Sequence, residues 1–159
     1  MIDNVVDTVT LYALSDTPVN LPSGLMLSSN PHAVRTDNIA TFDFAFDIDT
    51  AGRAVLLPTG AMHLGTASGG QLSDTPFDSI KIAPTSGYQR DSAIVLDTGA
   101  VAILHSRPTG CSFFAAATYF FYAKLHVIAL DMKSRRIDIE LLADINCGYR
   151  GLEPGLPPH

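Results

Sequence analysis

The stretch FYAKLHVIALDMKSRRIDIELLADI, residues 121–145, decides the fold class. Two apolar runs rich in β-branched and aromatic residues flank the polar segment DMKSR, which is the pattern of two strands joined by a turn. We therefore predict an antiparallel hairpin that turns near Lys133, in which the numbers of facing residues sum to about 266.

A second stretch, TFDFAFDID at residues 41–49, alternates in a way that indicates a strand buried on one side. We expect one face in the core and the other in solvent. The core face comprises Phe42, Phe44, Phe46 and Ile48, and the solvent face comprises Asp43, Ala45, Asp47 and Asp49. The turn DTAGR then leads to a partner strand, AVLLP at residues 54–58.

The polar residues of the chain are those of turns rather than of helix surfaces. Its 159 residues include 14 aspartates but only two glutamates, two glutamines and three lysines. Exposed helix faces are normally built from Glu, Gln and Lys, whereas Asp, Ser, Thr, Gly and Pro favour turns. The sequence predicts one all-β domain, an antiparallel β-sandwich or open barrel of about eight to ten strands. Residues 1–38 would supply an N-terminal strand at 4–14 and an irregular wrap, and residues 39–159 the main sheet region.

The charge and hydropathy of the chain argue against two kinds of partner. A net charge of −6 and an isoelectric point near 5.1 leave no basic face for nucleic acid. The longest uncharged apolar run, from Cys111 to Ala123, is too short for a transmembrane segment. The opening MIDNVVD lacks the pattern of a signal peptide. We expect export because of the cysteines discussed next, so the leader of the exported protein would already have been removed.

Both cysteines, Cys111 and Cys147, flank the most hydrophobic part of the chain. An even number of cysteines in a lysine-poor β chain predicts a disulfide between them. The hairpin register places Cys147 opposite Tyr119, so the bond requires the loop SFFAAAT to fold back over the sheet. It would close a loop of about 37 residues and contribute on the order of 4 kcal/mol. The alternative is two buried free thiols. A disulfide predicts an extracytoplasmic location, which is periplasmic, cell-surface or secreted.

No set of residues in the sequence assembles a catalytic or metal centre. The histidines lack the i, i+2 and i, i+4 spacings that bring metal ligands together locally. The segment DFAFDIDTAG lacks the further acidic ligands of a calcium loop, and Ser68 lacks the context of a nucleophile elbow. We therefore predict that the protein is not an enzyme and holds no metal.

The aromatic run between residues 113 and 122 is the best candidate for a binding surface. Consecutive aromatic residues on a strand point to both faces, so one set fills the core and the other is covered or exposed. Cover by the N-terminal wrap is one interpretation, and a surface for a ligand or partner is the other. His126 shares a strand face with Tyr122, Lys124 and Ile128, which we expect to face solvent in part. His105 ends a neighbouring predicted strand, so the two histidines could approach each other across the sheet. The candidate binding residues are Phe113, Phe114, Tyr119, Tyr122, His105 and His126.

The C-terminal half resembles a known group of bacterial proteins. FDSIKIAPTSGYQRD, followed by an apolar strand pair and by YAKLHVIALD, is similar to the layout of HmuY-like surface lipoproteins over residues 77–145. The most recognisable element is the strand YAKL at residues 122–125. The resemblance implies a β-rich, exported protein. We expect no cofactor; haem, which the best-known members of that group bind, is the alternative, with His63, His105 or His126 as the iron ligand. DFAFDID, AGRAVLLP and NCGYRGLEPG are also similar to segments of uncharacterised exported bacterial proteins.

Two functions agree with these features. The first is a non-enzymatic extracytoplasmic binding module that holds a small ligand or a cell-surface protein against the aromatic residues. The second is a structural subunit whose strand at residues 4–14 pairs with the sheet edge of a neighbouring molecule, which would make a homo-oligomer. An aromatic-lined cavity would favour the first, and an unpaired sheet edge the second.

Overall fold

The computed structural model describes residues 1–27, 31–37, 42–65, 67–110, 118–146 and 148–157. These residues form two antiparallel sheets of five strands each, which pack on each other as an open β-sandwich. The predicted all-β class is therefore confirmed. No helix in this part of the chain is long and apolar enough to cross a membrane.

The first sheet joins the N-terminal strand to the C-terminal hairpin. In spatial order its strands are β1 (Val6–Tyr12), β12 (Arg136–Asp144), β11 (Tyr122–Asp131), β8 (Val101–His105) and β6 (Gly69–Ser73). The second sheet, in spatial order, is β3 (His32–Val34), β2 (Gly24–Met26), β4 (Phe44–Ile48), β5 (Ala54–Pro58) and β7 (Ile94–Val95).

The smaller elements lie outside these sheets. A two-stranded ribbon comprises β9 (Thr109–Gly110) and β10 (Thr118–Tyr119), and two 3-10 turns span Thr59–Met62 and Phe77–Ser79. The described residues contain twelve strands, more than the eight to ten expected. Five of them have three residues or fewer, too short for an alternating sequence pattern to reveal.

The C-terminal hairpin forms in the predicted register. The facing pairs run from Tyr122 with Asp144 to Val127 with Ile139, and their residue numbers sum to 266. A bulge at Ile128 then shifts the register by one residue. The buried alternate residues of both strands explain this register, because a slip of one would turn the apolar side chains out of the core.

The N-terminal region contributes strands to both sheets. β1 pairs with the last strand, so that Val6 faces Leu142 and Tyr12 faces Arg136. β2 and β3, from the region expected to form an irregular wrap, lie in the second sheet.

The main core lies between the two sheets. Phe44 and Phe46 are fully buried, and Phe42 and Ile48 nearly so, which confirms the predicted core face of β4. The same core contains alternate residues of the first sheet, including Leu11, Leu104, Leu125 and Ile139.

The other side of this stretch was expected to face solvent. That prediction is wrong for Asp43, which precedes β4, and for Ala45 within it, because both are buried. The Asp43 carboxylate accepts hydrogen bonds from the backbone N–H of Leu27 and from the backbone N–H and Nε–H of Arg107, at 2.8–3.0 Å. Burial is tolerated because these donors replace water around the charge.

Part of the outer face of the first sheet is also covered. The 3-10 turn at Phe77–Ser79 and the C-terminal segment pack on it and form a second apolar cluster of Phe77, Ile80, Ala83, Ile103, Leu142 and Leu152. Lys124, which the resemblance places in its most recognisable strand, is expected on a partly solvent-facing side but is buried. Its ammonium donates to the backbone carbonyls of Phe77 and Ile80, at 2.7 and 3.0 Å. Lys124 thus fastens the covering segment to the sheet.

Candidate functional site

Four rings gather at one end of the first sheet. His105 ends β8 and lies opposite Tyr122, which begins β11, so both side chains are on the outer face. The centre of the His105 ring lies 4.2 Å from that of Phe120, 4.7 Å from that of Tyr88 and 6.3 Å from that of Tyr122. The structure therefore brings together two of the predicted binding residues and adds Tyr88 and Phe120, which were not among them.

His105 is a neutral, buried imidazole at neutral pH. Its exposed fraction is 1%, and burial lowers its pKa, an effect that the bond to Ser106 partly opposes. Nδ1 lies 2.8 Å from the Ser106 carbonyl oxygen, which can only accept, so Nδ1 carries the proton. Nε2 has no hydrogen-bond partner among the described residues.

The ring cluster is closely packed. A Cβ atom at Gly69 would lie 2.7 Å from His105 Nε2 and 3.0 Å from Tyr88 Cβ, so only glycine allows the ring to lie here. The Nε2 side of the ring therefore lies close to the backbone of Gly69. The other two candidate ligands lie elsewhere, His63 in an exposed turn and His126 bound to a carboxylate.

The remaining predicted site residues lie apart from this cluster. On β11, His126 lies four residues beyond Tyr122, which faces His105 on β8. The two histidines are therefore about 13 Å apart. The expectation that the two histidines approach each other is wrong. His126 Nδ1 instead lies 2.7 Å from the Glu140 carboxylate on β12. Tyr119 lies in the β9–β10 ribbon. Phe113 and Phe114 fall outside the described residues, as does the predicted disulfide between Cys111 and Cys147.

The backbone N–H and C=O groups of successive β1 residues point alternately to the two sides of the strand. The N–H of Ala13 donates to the Arg135 carbonyl, on the β12 side, whereas the N–H of Tyr12 donates to the Pro22 carbonyl, on the other side; both distances are 2.9 Å. Successive residues of a strand direct their backbone groups to opposite edges. Odd-numbered residues of β1 therefore bond to β12, and even-numbered residues face outward.

Three outward-facing residues of β1 have no backbone partner in the described part of the chain: Val6, Thr8 and Thr10. We call this row the open edge. Gly155 bounds it on one side, since it exchanges two backbone hydrogen bonds with Asn4 at 2.8 and 2.9 Å. Pro22 bounds it on the other. The row is about 14 Å long, enough for an added strand of about five residues.

The other sheet edges are shorter or capped. Gly70 of β6 exchanges two backbone hydrogen bonds with Gln89, and β3 and β7 contain three and two residues. The sequence of β1, VDTVTLY, has neither lysine nor proline, and its pairing with β12 has no bulge. Lysine, proline and bulges are three of the features that usually protect natural sheet edges from pairing.

Two grooves follow β1 on the side of the second sheet. One, of about 330 Å³, lies between residues 7–10 and residues 31–33. The other, of about 300 Å³, lies between the N-terminal residues and the end of β12. Asp7 and Pro31 line both grooves, and Asp3 lines the second. Within the described ranges, neither aspartate has an ion-pair partner.

Comparison with known proteins identified no matching family model, no similar curated protein and no matching solved structure.

Proposed function

We propose that the protein is a non-enzymatic binding module that works outside the cytoplasm and captures an extended segment of a partner protein on the open edge. The observation that supports this most directly is the row of outward-facing backbone groups at Val6, Thr8 and Thr10. A strand added there would continue the first sheet and pair these groups, which is a common mode of peptide recognition.

Backbone pairing would supply much of the affinity. The three residues offer three N–H and three C=O groups, and each hydrogen bond contributes about 0.5–1.5 kcal/mol net. Ordering the incoming segment costs about 1–2 kcal/mol per residue. Its side chains must therefore also bind in the grooves beside β1.

Three buried ionisable groups of the described residues have structural contacts that account for their burial. Asp43 is satisfied by three N–H donors, Lys124 holds a covering segment, and His105 packs against Gly69. Each has a structural contact, and none of the three lines a groove beside β1.

The other versions of the function have less support or share this site. A structural subunit that pairs β1 with a neighbouring molecule would use the same edge, with a second copy as the partner. A small ligand held by the aromatic residues has less support because the rings around His105 contact one another. The extracytoplasmic location depends on the predicted disulfide. Reduction should raise the intact mass by two hydrogen atoms, and an unchanged mass would remove the main reason for export.

Selection of a random peptide library against the immobilised protein tests the open edge. Binders should lose affinity for Thr8→Pro, which removes an outward-facing N–H without removing a bond to β12. Leu72→Pro is the matched control, because the outward bond of Gly70 places the Leu72 N–H on the opposite edge of the same sheet. Thermal unfolding should show that both variants fold.

Hydrogen exchange gives a second measurement on the unmodified chain. The Thr8 and Thr10 amides should exchange faster than that of Val9 in the free protein, and a selected peptide should slow them. The proposal would be overturned by a library that yields no binders, by binders that retain their affinity for Thr8→Pro, or by equal losses in the two proline variants.

A further inference from the structure

We infer that the partner segment is cationic and carries a lysine or arginine two residues from an apolar residue. The inference rests on the proposed function, since it names the partner of the same edge. The arrangement of side chains along β1 and the charge of the two grooves carry it.

The odd-numbered side chains of β1 face the second sheet. Val9 is buried there, and Asp7, two residues earlier on the same face, is exposed. A strand added to the open edge would present alternate side chains on this side. Its residue beside Val9 would enter the groove lined by Pro31 and Ala33, and the residue beside Asp7 would meet a carboxylate.

The grooves are negatively charged. Asp3 and Asp7 have no ion-pair partner among the described residues, and no lysine or arginine lines either groove. His32 is the one basic side chain among the residues that line the first groove. A lysine or arginine at the position beside Asp7 would therefore be attracted rather than repelled.

A second copy of this chain fits the edge less well. Two β1 strands paired antiparallel about Thr8 would place each Asp7 beside Val9 of the other copy. The two Asp7 carboxylates would then lie diagonally on one face, where like charges destabilise a sheet. Each copy also carries a net charge of −6. A cationic segment meets neither penalty.

The test repeats the peptide selection with a charge reversal. Peptides selected on the wild-type protein should be enriched in lysine or arginine two places from an apolar residue. Asp7→Lys should weaken them about two- to fivefold, and replacing the peptide's own basic residue by glutamate should restore binding to Asp7→Lys. Asp74→Lys, which changes the net charge equally on an exposed loop beyond β6, should have little effect.

The outcomes separate this inference from the proposed function. The cationic partner would be overturned if the selected peptides were not enriched in basic residues. It would also be overturned if they bound Asp7→Lys normally but lost binding to Thr8→Pro, and in both cases the open edge would remain as the binding site. Binding that survives Thr8→Pro would overturn both. A concentration-dependent dimer in sedimentation that Thr8→Pro abolishes would instead assign the edge to a second copy.

Discussion

Asp144→Asn should stabilise the protein at neutral pH, although it removes a charged residue from the end of β12. Asp144 is fully buried, and its Oδ1 accepts hydrogen bonds from the N–H and Nδ2 of Asn146 at 3.0 and 2.9 Å. Its Oδ2 has no hydrogen bond of good geometry among the described residues, and neither has Oδ1 of Asn4, although the Asn4 side chain and the Gly151 N–H lie close enough to favour the charged carboxylate. The Asn4 side chain lies against the carboxyl, since both extend the β1–β12 ladder on the same face. Burial raises the pKa of Asp144 and outweighs the bonds that favour its charged form.

The sign of the pH dependence follows from this raised pKa. The folded protein binds the proton more tightly than the unfolded chain, whose aspartate pKa is about 3.9. The stability that Asp144 contributes is therefore complete below that value and is lost as the pH rises through the folded pKa. Ionisation of the Asp144 carboxyl is therefore a net cost to the folded state.

The size of the gain follows from the unsatisfied oxygen. Asparagine removes the charge and keeps an oxygen that accepts the hydrogen bonds from Asn146. An unsatisfied buried polar group costs about 1–3 kcal/mol, and the variant should be more stable by about that amount. For a domain of this size, that raises Tm by roughly 2–12 °C.

Thermal unfolding followed by circular dichroism at pH 7 and pH 4 measures this effect. The advantage of Asp144→Asn should be largest at pH 7 and shrink at pH 4, where the wild-type carboxyl holds its proton more often. Asp144→Ala is the comparison variant and should be less stable at both pH values, because Asn146 loses its acceptor. A variant Asp144→Asn with unchanged or lower Tm at pH 7, or with an advantage independent of pH, would refute the reasoning.

Three further substitutions test the buried contacts. Lys124→Met should lower the free energy of unfolding by about 2–4 kcal/mol, because two backbone carbonyls lose a charged donor; an unchanged urea midpoint would contradict this. Gly69→Ala should cost about 1–3 kcal/mol because its methyl group collides with the His105 ring, and a Tm equal to that of the wild type would show that the ring has room to move. Asp43→Asn should cost about 2–3 kcal/mol, since an amide cannot accept all three N–H bonds and Arg107 loses its counter-charge; urea unfolding should detect it, and a loss below about 1 kcal/mol would argue against this role.

The sequence predicts those parts of the fold that local alternation controls. The hairpin of β11 and β12 has the expected register because its apolar residues must share one face. The core face of β4 follows from the same rule. The partner of β1 could not be predicted, because pairing with β12 depends on the whole topology rather than on residues near β1.

The errors have two physical causes. Alternation assigns the second face of a strand to solvent, but loops distant in sequence cover that face at Asp43 and Lys124. The second cause is strand register. The sequence predicts neighbouring strands for His105 and His126, but the register between β8 and β11 places the two rings far apart. The sequence pattern predicts the strand at residues 4–14, whereas the open edge can be recognised only from the directions of the backbone N–H and C=O groups in the structure.

The pairing of β1 with β12 also dictates an order of folding. Thr10 and Asp138, which are hydrogen-bonded across that ladder, are 128 residues apart in sequence. Such distant closure is slow, because chain entropy is lost before the contact forms. β1 precedes the other strands that the structure describes and lacks its one sheet neighbour until β12 has been made, so it is exposed to aggregation during synthesis. A chaperone that covers β1 during this interval should increase the yield of folded protein.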